Sequence, residues 1–382
     1  MSASKKNSVA AKVSSTGGDV EEAVLKLLQQ LISIPSFSKE EEKTAEAIEI
    51  FLHSHNIQTN RLLNNVWCVN KYFDESKPTI LLNSHHDTVK PNKQYSRDPF
   101  KADIEDGKLF GLGSNDAGGC LVSLIATFLY FYNHKNLKYN IVLAATAEEE
   151  ISGKNGIELL LKDESFLNKI SGFPPTPFRA GWCAIVGEPT LMNMAVAEKG
   201  LLVLDCTAYG KAGHAAREEG DNAIYKAIKD IEWFKHYKFD KVSALLGPNK
   251  MSVTIINAGS QHNVVPSQCN FTVDIRVNEL YDFDEVLSIV KQNVQCEVVP
   301  RSLRLRSTNI ALDHPLVKAG LQLNRTYYGS PTTSDKALMP FPALKMGPGD
   351  SARSHSADEF IFVDEIRNGI ELYIQLLNKI LN

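Results

Sequence analysis

Residues 79–87 read Thr79-Ile80-Leu81-Leu82-Asn83-Ser84-His85-His86-Asp87, a short apolar run that ends abruptly in histidines and an acid. Two further stretches repeat the pattern. Asn140-Ile141-Val142-Leu143-Ala144-Ala145 leads into Thr146-Ala147-Glu148-Glu149-Glu150, and Trp182-Cys183-Ala184-Ile185-Val186 leads into Gly187-Glu188-Pro189. Runs apolar on both faces are expected of strands in the middle of a sheet covered by helices. The apolar, helix-permissive segment 118–132 lies between the first two runs, so the order strand, helix, strand predicts an α/β sheet with parallel portions. In such sheets binding sites gather beyond the carboxyl ends of the strands, where the polar residues of all three runs fall.

Working outward, residues 20–31 place apolar side chains at helical spacing, and a second helix is expected over roughly 40–55, opening on acids that suit its positive N-terminal end. Past residue 198 the pattern changes to strand 201–209, helix 222–237, strands 251–256 and 268–277, helix 284–293 and a strand near 296–303. That β-α-β-β-α-β order reads as a ferredoxin-like α+β unit inserted into the larger domain. Helical patterning and a strand at 343–346 return afterwards. The expected division is a leader over 1–19, a catalytic domain over 20–198 and 309–382, and an inserted domain over 199–308. No internal repeat is present.

The chain has 382 residues, 43% hydrophobic and 23% charged, which suits a soluble enzyme that buries its own core. A net charge of −4 supplies no field for a phosphate backbone, so nucleic-acid binding is not expected. No apolar run reaches transmembrane length, and the leader lacks the apolar segment of a signal peptide. The six cysteines show no C-x-x-C spacing and sit in apolar surroundings, which reads as free thiols in a reducing cytoplasm.

His85 and Asp87 alternate onto one face of a strand while His86 points away, and a ligating histidine needs its second nitrogen held in this way. Asp116 sits in the glycine-rich turn Gly111-Leu112-Gly113-Ser114-Asn115-Asp116-Ala117-Gly118. Three consecutive acids, Glu148 to Glu150, repel one another unless solvent or cations relieve them. Spacing leaves open which of the three does what. Glu188 stands between Gly and Pro, and His355 ends the loop that begins Gly347-Pro348-Gly349. Histidine and carboxylate without thiolate suit zinc, with cobalt or manganese as replacements, and this many ligands match two ions about 3.5 Å apart.

In this order the motifs resemble the dinuclear zinc amidohydrolases that include acetylornithine deacetylase, succinyl-diaminopimelate desuccinylase, aminoacylase and glutamate carboxypeptidase. The resemblance runs from about residue 24 to 381, and Val186-Gly187-Glu188-Pro189-Thr190 with Gly347-Pro348-Gly349 brings it nearest the acetylornithine deacetylase branch. It implies a zinc-peptidase-like domain with a mixed central sheet, an inserted lid or dimerisation domain, and a homodimer. It also implies His85 and Glu188 on one zinc, Glu150 and His355 on the other, and Asp116 bridging, followed by a cis peptide bond. Asp87 would orient His85, Glu149 would be the general base, and His214 in Gly210-Lys211-Ala212-Gly213-His214 would stabilise an oxyanion, often in the partner subunit's site. Asn263, Arg276 and Thr333 resemble contacts to the substrate. The implied reaction is deacylation of an N-acyl amino acid, N-acetylornithine in arginine biosynthesis, with N-acetylcitrulline, N-succinyl substrates or dipeptides as alternatives. Ala117-Gly118 replaces the Met-Lys common in that family, and Lys90 precedes Pro91 as an extra base; both bear on substrate preference.

Overall fold

The computed structural model describes residues 17–171 and 181–382. The chain opens with α1 (Gly17–Ile32), α2 (Glu42–Ser54), β1 (Asn60–Leu62), β2 (Asn65–Val69), β3 (Thr79–His85), β4 (Ile104–Glu105) and β5 (Lys108–Phe110). An irregular turn then leads to α3 (Gly119–Phe131), β6 (Asn140–Thr146), α4 (Ile157–Leu160), α5 (Glu164–Ser171), β7 (Cys183–Val186) and β8 (Met194–Glu198). The middle contains β9 (Gly200–Tyr209), β10 (Gly213–His214), α6 (Ala223–His236), β11 (Lys250–Ala258), β12 (Val264–Val265), β13 (Gln268–Val277), α7 (Phe283–Asn293), β14 (Glu297–Pro300) and β15 (Thr308–Asn309). The chain closes with α8 (Pro315–Gln322), β16 (Tyr327–Ser330), β17 (Ala343–Lys345), β18 (Phe360–Phe362) and α9 (Val363–Leu381).

Packing divides the described chain into two compact units, one from 1–194, 318–325 and 344–382, the other from 195–317 and 326–343. Segments 195–198, 309–317 and 326–343 thus fall in the second unit, where the sequence reading assigns them to the first. Of the expected leader, residues 1–16 lie outside the described residues, whereas 17–19 already belong to α1.

In the first unit β1 and β2 form a hairpin on the edge of a mixed sheet, followed in order by β6, β3, β7 and β17. β2 runs antiparallel to β6, and β3 runs parallel to both β6 and β7. Every residue of β3 and β6 is buried, as the doubly apolar runs require. α3 covers them with Leu121, Leu124, Ile125 and Phe128, all fully buried, and packs in turn against α1 and α9. Each such side chain contributes roughly 1.5–3 kcal/mol by leaving water. This parallel centre fixes the strand ends from which the functional side chains project. A separate three-stranded sheet, β18-β5-β4, is not foreseen in the sequence reading.

The second unit holds an antiparallel sheet in the order β11-β13-β9-β14. β9 alternates buried and half-buried residues, the signature of a sheet with one face in a core. Leu202, Leu204, Phe271, Val273 and Ile275 pack there with Phe234 of α6 and Val286 and Val290 of α7. The ferredoxin-like order expected from sequence is therefore the one observed. All six cysteines are free and buried. Among the described residues no helix is long and apolar enough to cross a membrane.

Candidate metal centre

Parallel pairing of β3 with β6 sets His85 opposite Thr146, so the two strands end at the same level. His85, the last residue of β3, is 1% exposed. Its Nδ1 lies 3.0 Å from the Asp87 carbonyl and 3.3 Å from Asp87 Oδ1. Both oxygens only accept, so Nδ1 carries the proton and Nε2 presents a lone pair. That Nε2 is buried with no hydrogen-bond partner. It faces carboxylate oxygens of Asp116 at 3.4 Å and of Glu149 and Glu188 at 3.9 Å each. Burial disfavours a charged ring, yet Asp116, Asp87 and Glu149 outweigh it and raise the His85 pKa well above the ordinary value. The surroundings favour positive charge at this point. His86 turns to the opposite side, bonding Thr44 Oγ1 and the Asn64 carbonyl at 2.9 Å, and burial lowers its pKa to about 4.

Asp87 does more than hold His85. Its Oδ1 accepts from the backbone N–H of Glu149 and its Oδ2 from that of Glu150, both at 3.1 Å, while Ser38 Oγ donates to Oδ2 at 2.7 Å. Burial opposes its ionisation, but the bonds from His85, Ser38 and Glu150 hold the carboxyl below the usual range. The run of three glutamates is thereby resolved. Glu148 takes a positive φ of 56° and turns its carboxylate to Asn155, whose Nδ2 donates at 2.8 Å. Glu149 and Glu150 enter the cluster. His355 Nε2 lies 2.9 Å from Glu150 Oε2 and 3.8 Å from Asp116 Oδ2. The bond to Glu150 pushes the half-exposed His355 up to about 9.

Asp116 sits in a turn closed by Gly113 at φ 75°, and the peptide bond that follows it is cis. Glu188 is delivered by close packing at the end of β7. A Cβ on Gly187 would stand 2.8 Å from Leu124 Cδ1, and one on Gly347 2.6 Å from the Glu188 carbonyl. Larger residues at either position would displace Glu188 itself.

Two groups of donors result, His85 with Glu149 and Glu188, and His85 with Asp116 and Glu150, each with its atoms within 4.8 Å of one another. An orphaned imidazole nitrogen buried among carboxylates fits a metal ion better than any hydrogen-bonded alternative. Nitrogen and oxygen donors without thiolate fit zinc, cobalt or manganese.

The structure brings together His85, Asp87, Asp116, Glu149, Glu150, Glu188 and His355. The remaining candidates belong to the second unit. His214 is exposed at the two-stranded pairing of β10 with β12, its Nδ1 accepting from Ala216 N–H at 3.1 Å. Asn263 accepts through its carbonyl from Ala215 N–H at 3.0 Å. Arg276 places Nε and Nη2 on Asp274 at 2.8 and 3.0 Å, and Thr333 donates to the Lys199 carbonyl at 2.8 Å.

Two residues beside the centre escape the sequence reading. Ser38 is one hydroxyl in a serine-rich turn, with nothing in its spacing to single it out. Glu359 is 2% exposed; burial and the Asp116 charge push its carboxyl up to about 8 against three backbone N–H bonds. Its one signal is an acid directly before the apolar Phe360-Ile361-Phe362 strand.

A histidine–carboxylate cluster at the carboxyl ends of parallel strands can hold a metal ion. The chain matches peptidase family M20/M25/M40 over residues 81–379 and belongs to that family, whose members hydrolyse amide bonds. Acetylornithine deacetylase of Buchnera aphidicola is 26% identical over 367 residues, covering 88% of this chain and 92% of that one. Succinyl-diaminopimelate desuccinylase of Wolbachia pipientis is 25% identical over 396 aligned positions, covering 94% and 95%. An M20 metallo-carboxypeptidase from Sulfolobus solfataricus shares the fold, with TM-score 0.74 over 94% of this chain and 98% of that one at 18% identity.

Proposed function

We propose that this chain is a two-zinc deacylase of N-acyl amino acids, acting first on N-acetylornithine in arginine biosynthesis. The observation that carries the reading is the unpartnered His85 Nε2 among the carboxylates of Asp116, Glu149 and Glu188. In it, His85 and Glu188 hold one ion, Glu150 and His355 the other, and Asp116 reaches both; cobalt or manganese can replace zinc. Bound ions supply a Lewis acid and bring the pKa of water near ~7. Glu149 is the base of the proposal. Its side chain is 14% exposed, enough to meet solvent, and Asp87 fixes its backbone. Its carboxylate takes the proton of the attacking water and passes it to the leaving amine. Asp87 keeps the His85 proton on Nδ1. His214 is assigned to the oxyanion of the tetrahedral intermediate, a role in which one donor is worth ~3 kcal/mol. Asn263, Arg276 and Thr333 are assigned to the substrate, and the fork of Arg276 would have to exchange Asp274 for the substrate carboxylate.

A homodimer is part of the proposal, supported by the exposed Ile255 and Ile256 on β11, an edge of the second unit's sheet. A cytoplasmic location is supported by six buried free thiols. A second reading, an N-succinyl deacylase, is favoured by desuccinylases matching at the same level of identity as the deacetylase. Hydrolysis of acetyl-, succinyl- and formyl-ornithine and -citrulline, with and without a chelator, separates the two. Chelator-sensitive release of ornithine from the acetyl compound is expected. Turnover of succinyl compounds alone selects the second reading, and turnover of dipeptides alone rejects both.

A further inference from the structure

The turn that carries Asp116 has its backbone N–H groups aimed at a single side chain. Glu359 Oε1 accepts from Asn115 N–H and Asp116 N–H at 2.9 Å each, and Oε2 accepts from Gly113 N–H at 3.1 Å. The Glu359 main chain holds the same segment, its carbonyl accepting from Gly111 N–H at 3.0 Å. Phe360, next in the chain, pairs with Phe110 across β18 and β5. Asn115 ties the turn to the other end of this loop, donating to the Asp350 carbonyl and accepting from Asp350 N–H, both at 3.0 Å. His355 lies inside that loop, between its anchors at 350 and 359. Two buried side chains, Glu359 and Asn115, and the Glu359 carbonyl thus span the two pieces of chain that bring Asp116 and His355 to the centre.

We propose that Glu359 is a positioning residue that sets the spacing of Asp116 and His355, and through it the affinity of the Asp116–Glu150–His355 group for its ion. The inference rests on the two-ion reading above. Leaving buried N–H groups without an acceptor costs each of them its desolvation. The turn therefore rearranges when the carboxylate is altered, and Asp116 moves with it. On the other side His85 and Glu188 are held by Asp87, Gly187 and Gly347, so that ion is disturbed only through the Asp116 it shares.

The test is stepwise zinc titration of the full-length metal-free protein against a competing chromophoric chelator, with the absorption spectrum of the cobalt form as a second readout. Glu359→Gln keeps the size and one acceptor but turns an amide N–H towards Gly113 N–H. In this variant the ion of the Asp116–Glu150–His355 group is expected to lose ~10–100-fold in affinity, and the other ion, which loses only part of one ligand, markedly less. Glu359→Asp, which keeps the carboxyl group, is expected to recover part of the loss, and the cobalt spectrum to change most in the bands of the weakened ion. Melting of the metal-free forms controls for folding. Equal weakening of both ions together with a lower melting temperature would make Glu359 merely structural and overturn the proposal. Wild-type affinities for both ions in Glu359→Gln would overturn the positioning role alone. A wild-type protein that takes up no second ion would overturn this inference and the two-ion reading together.

Discussion

The acids of the metal centre and the acids on the second unit's sheet are partnered in opposite ways. In the second unit Asp205 receives two bonds from Arg301 at 2.8 Å, and Asp274 a comparable pair from Arg276. Arg301 holds the Asp205 carboxyl below its usual range, and because a guanidinium never loses its proton, the charge opposite Asp205 does not depend on pH. In the first unit Asp116 and Glu150 face His85 and His355, whose charge depends on pH and on what else binds. The same residue types therefore build a fixed scaffold in one place and an open demand for positive charge in the other. Arginine closes a site; histidine leaves it available.

This contrast can be broken from either side. The largest expected effect is that of Glu149→Ala, where kcat should fall by ~10²–10⁴ with two ions still bound; activity close to wild type with full metal content would remove Glu149 as base. Next come the ligands. His85→Ala should lower metal content by the ion shared with Glu188, and His355→Ala by the ion shared with Glu150, as read by elemental analysis after dialysis; a full complement in either variant would remove that histidine as a ligand. A smaller effect concerns pH in the metal-free protein. His355 moves up from 6.5 to about 9 in the fold through its bond to Glu150. A pKa raised on folding contributes stability that is complete below the unfolded value and is lost as pH rises through the folded one. The melting-temperature gap between wild type and His355→Ala should accordingly shrink between about pH 6.5 and 9, and a gap that widens there would reverse the assignment. Smallest of all, Arg301→Ala removes a half-exposed pair and should cost no more than ~1 kcal/mol on denaturant unfolding, with metal content unchanged.

The sequence made the parallel centre readable because β3, β6 and β7 are too apolar to be anything but interior strands and stop at polar residues together. The ferredoxin-like unit was equally open, since its strands and helices alternate in period. The β1–β2 hairpin and the β18-β5-β4 sheet were not, being three residues or fewer per strand in most cases, too short for a period to show. At the centre, spacing reached His85, Asp87 and the acidic run, and the resemblance added the division between Glu149 and Glu150. What the fold adds is the exclusion of Glu148: its positive φ and the backbone bonds of Glu149 and Glu150 to Asp87 turn only the last two acids into the cluster, and neither feature leaves a mark on residue type. Glu359 stayed hidden for a related reason. It acts on main-chain N–H groups more than 240 positions away, which any residue could have supplied.

The bare Nε2 of His85 has a consequence for the stability of the protein. In the two-ion reading, an ion present at a hundred times its dissociation constant adds ~2.7 kcal/mol to the loaded fold. On that reading metal supply would set how much of the protein stays folded as well as how fast it turns over.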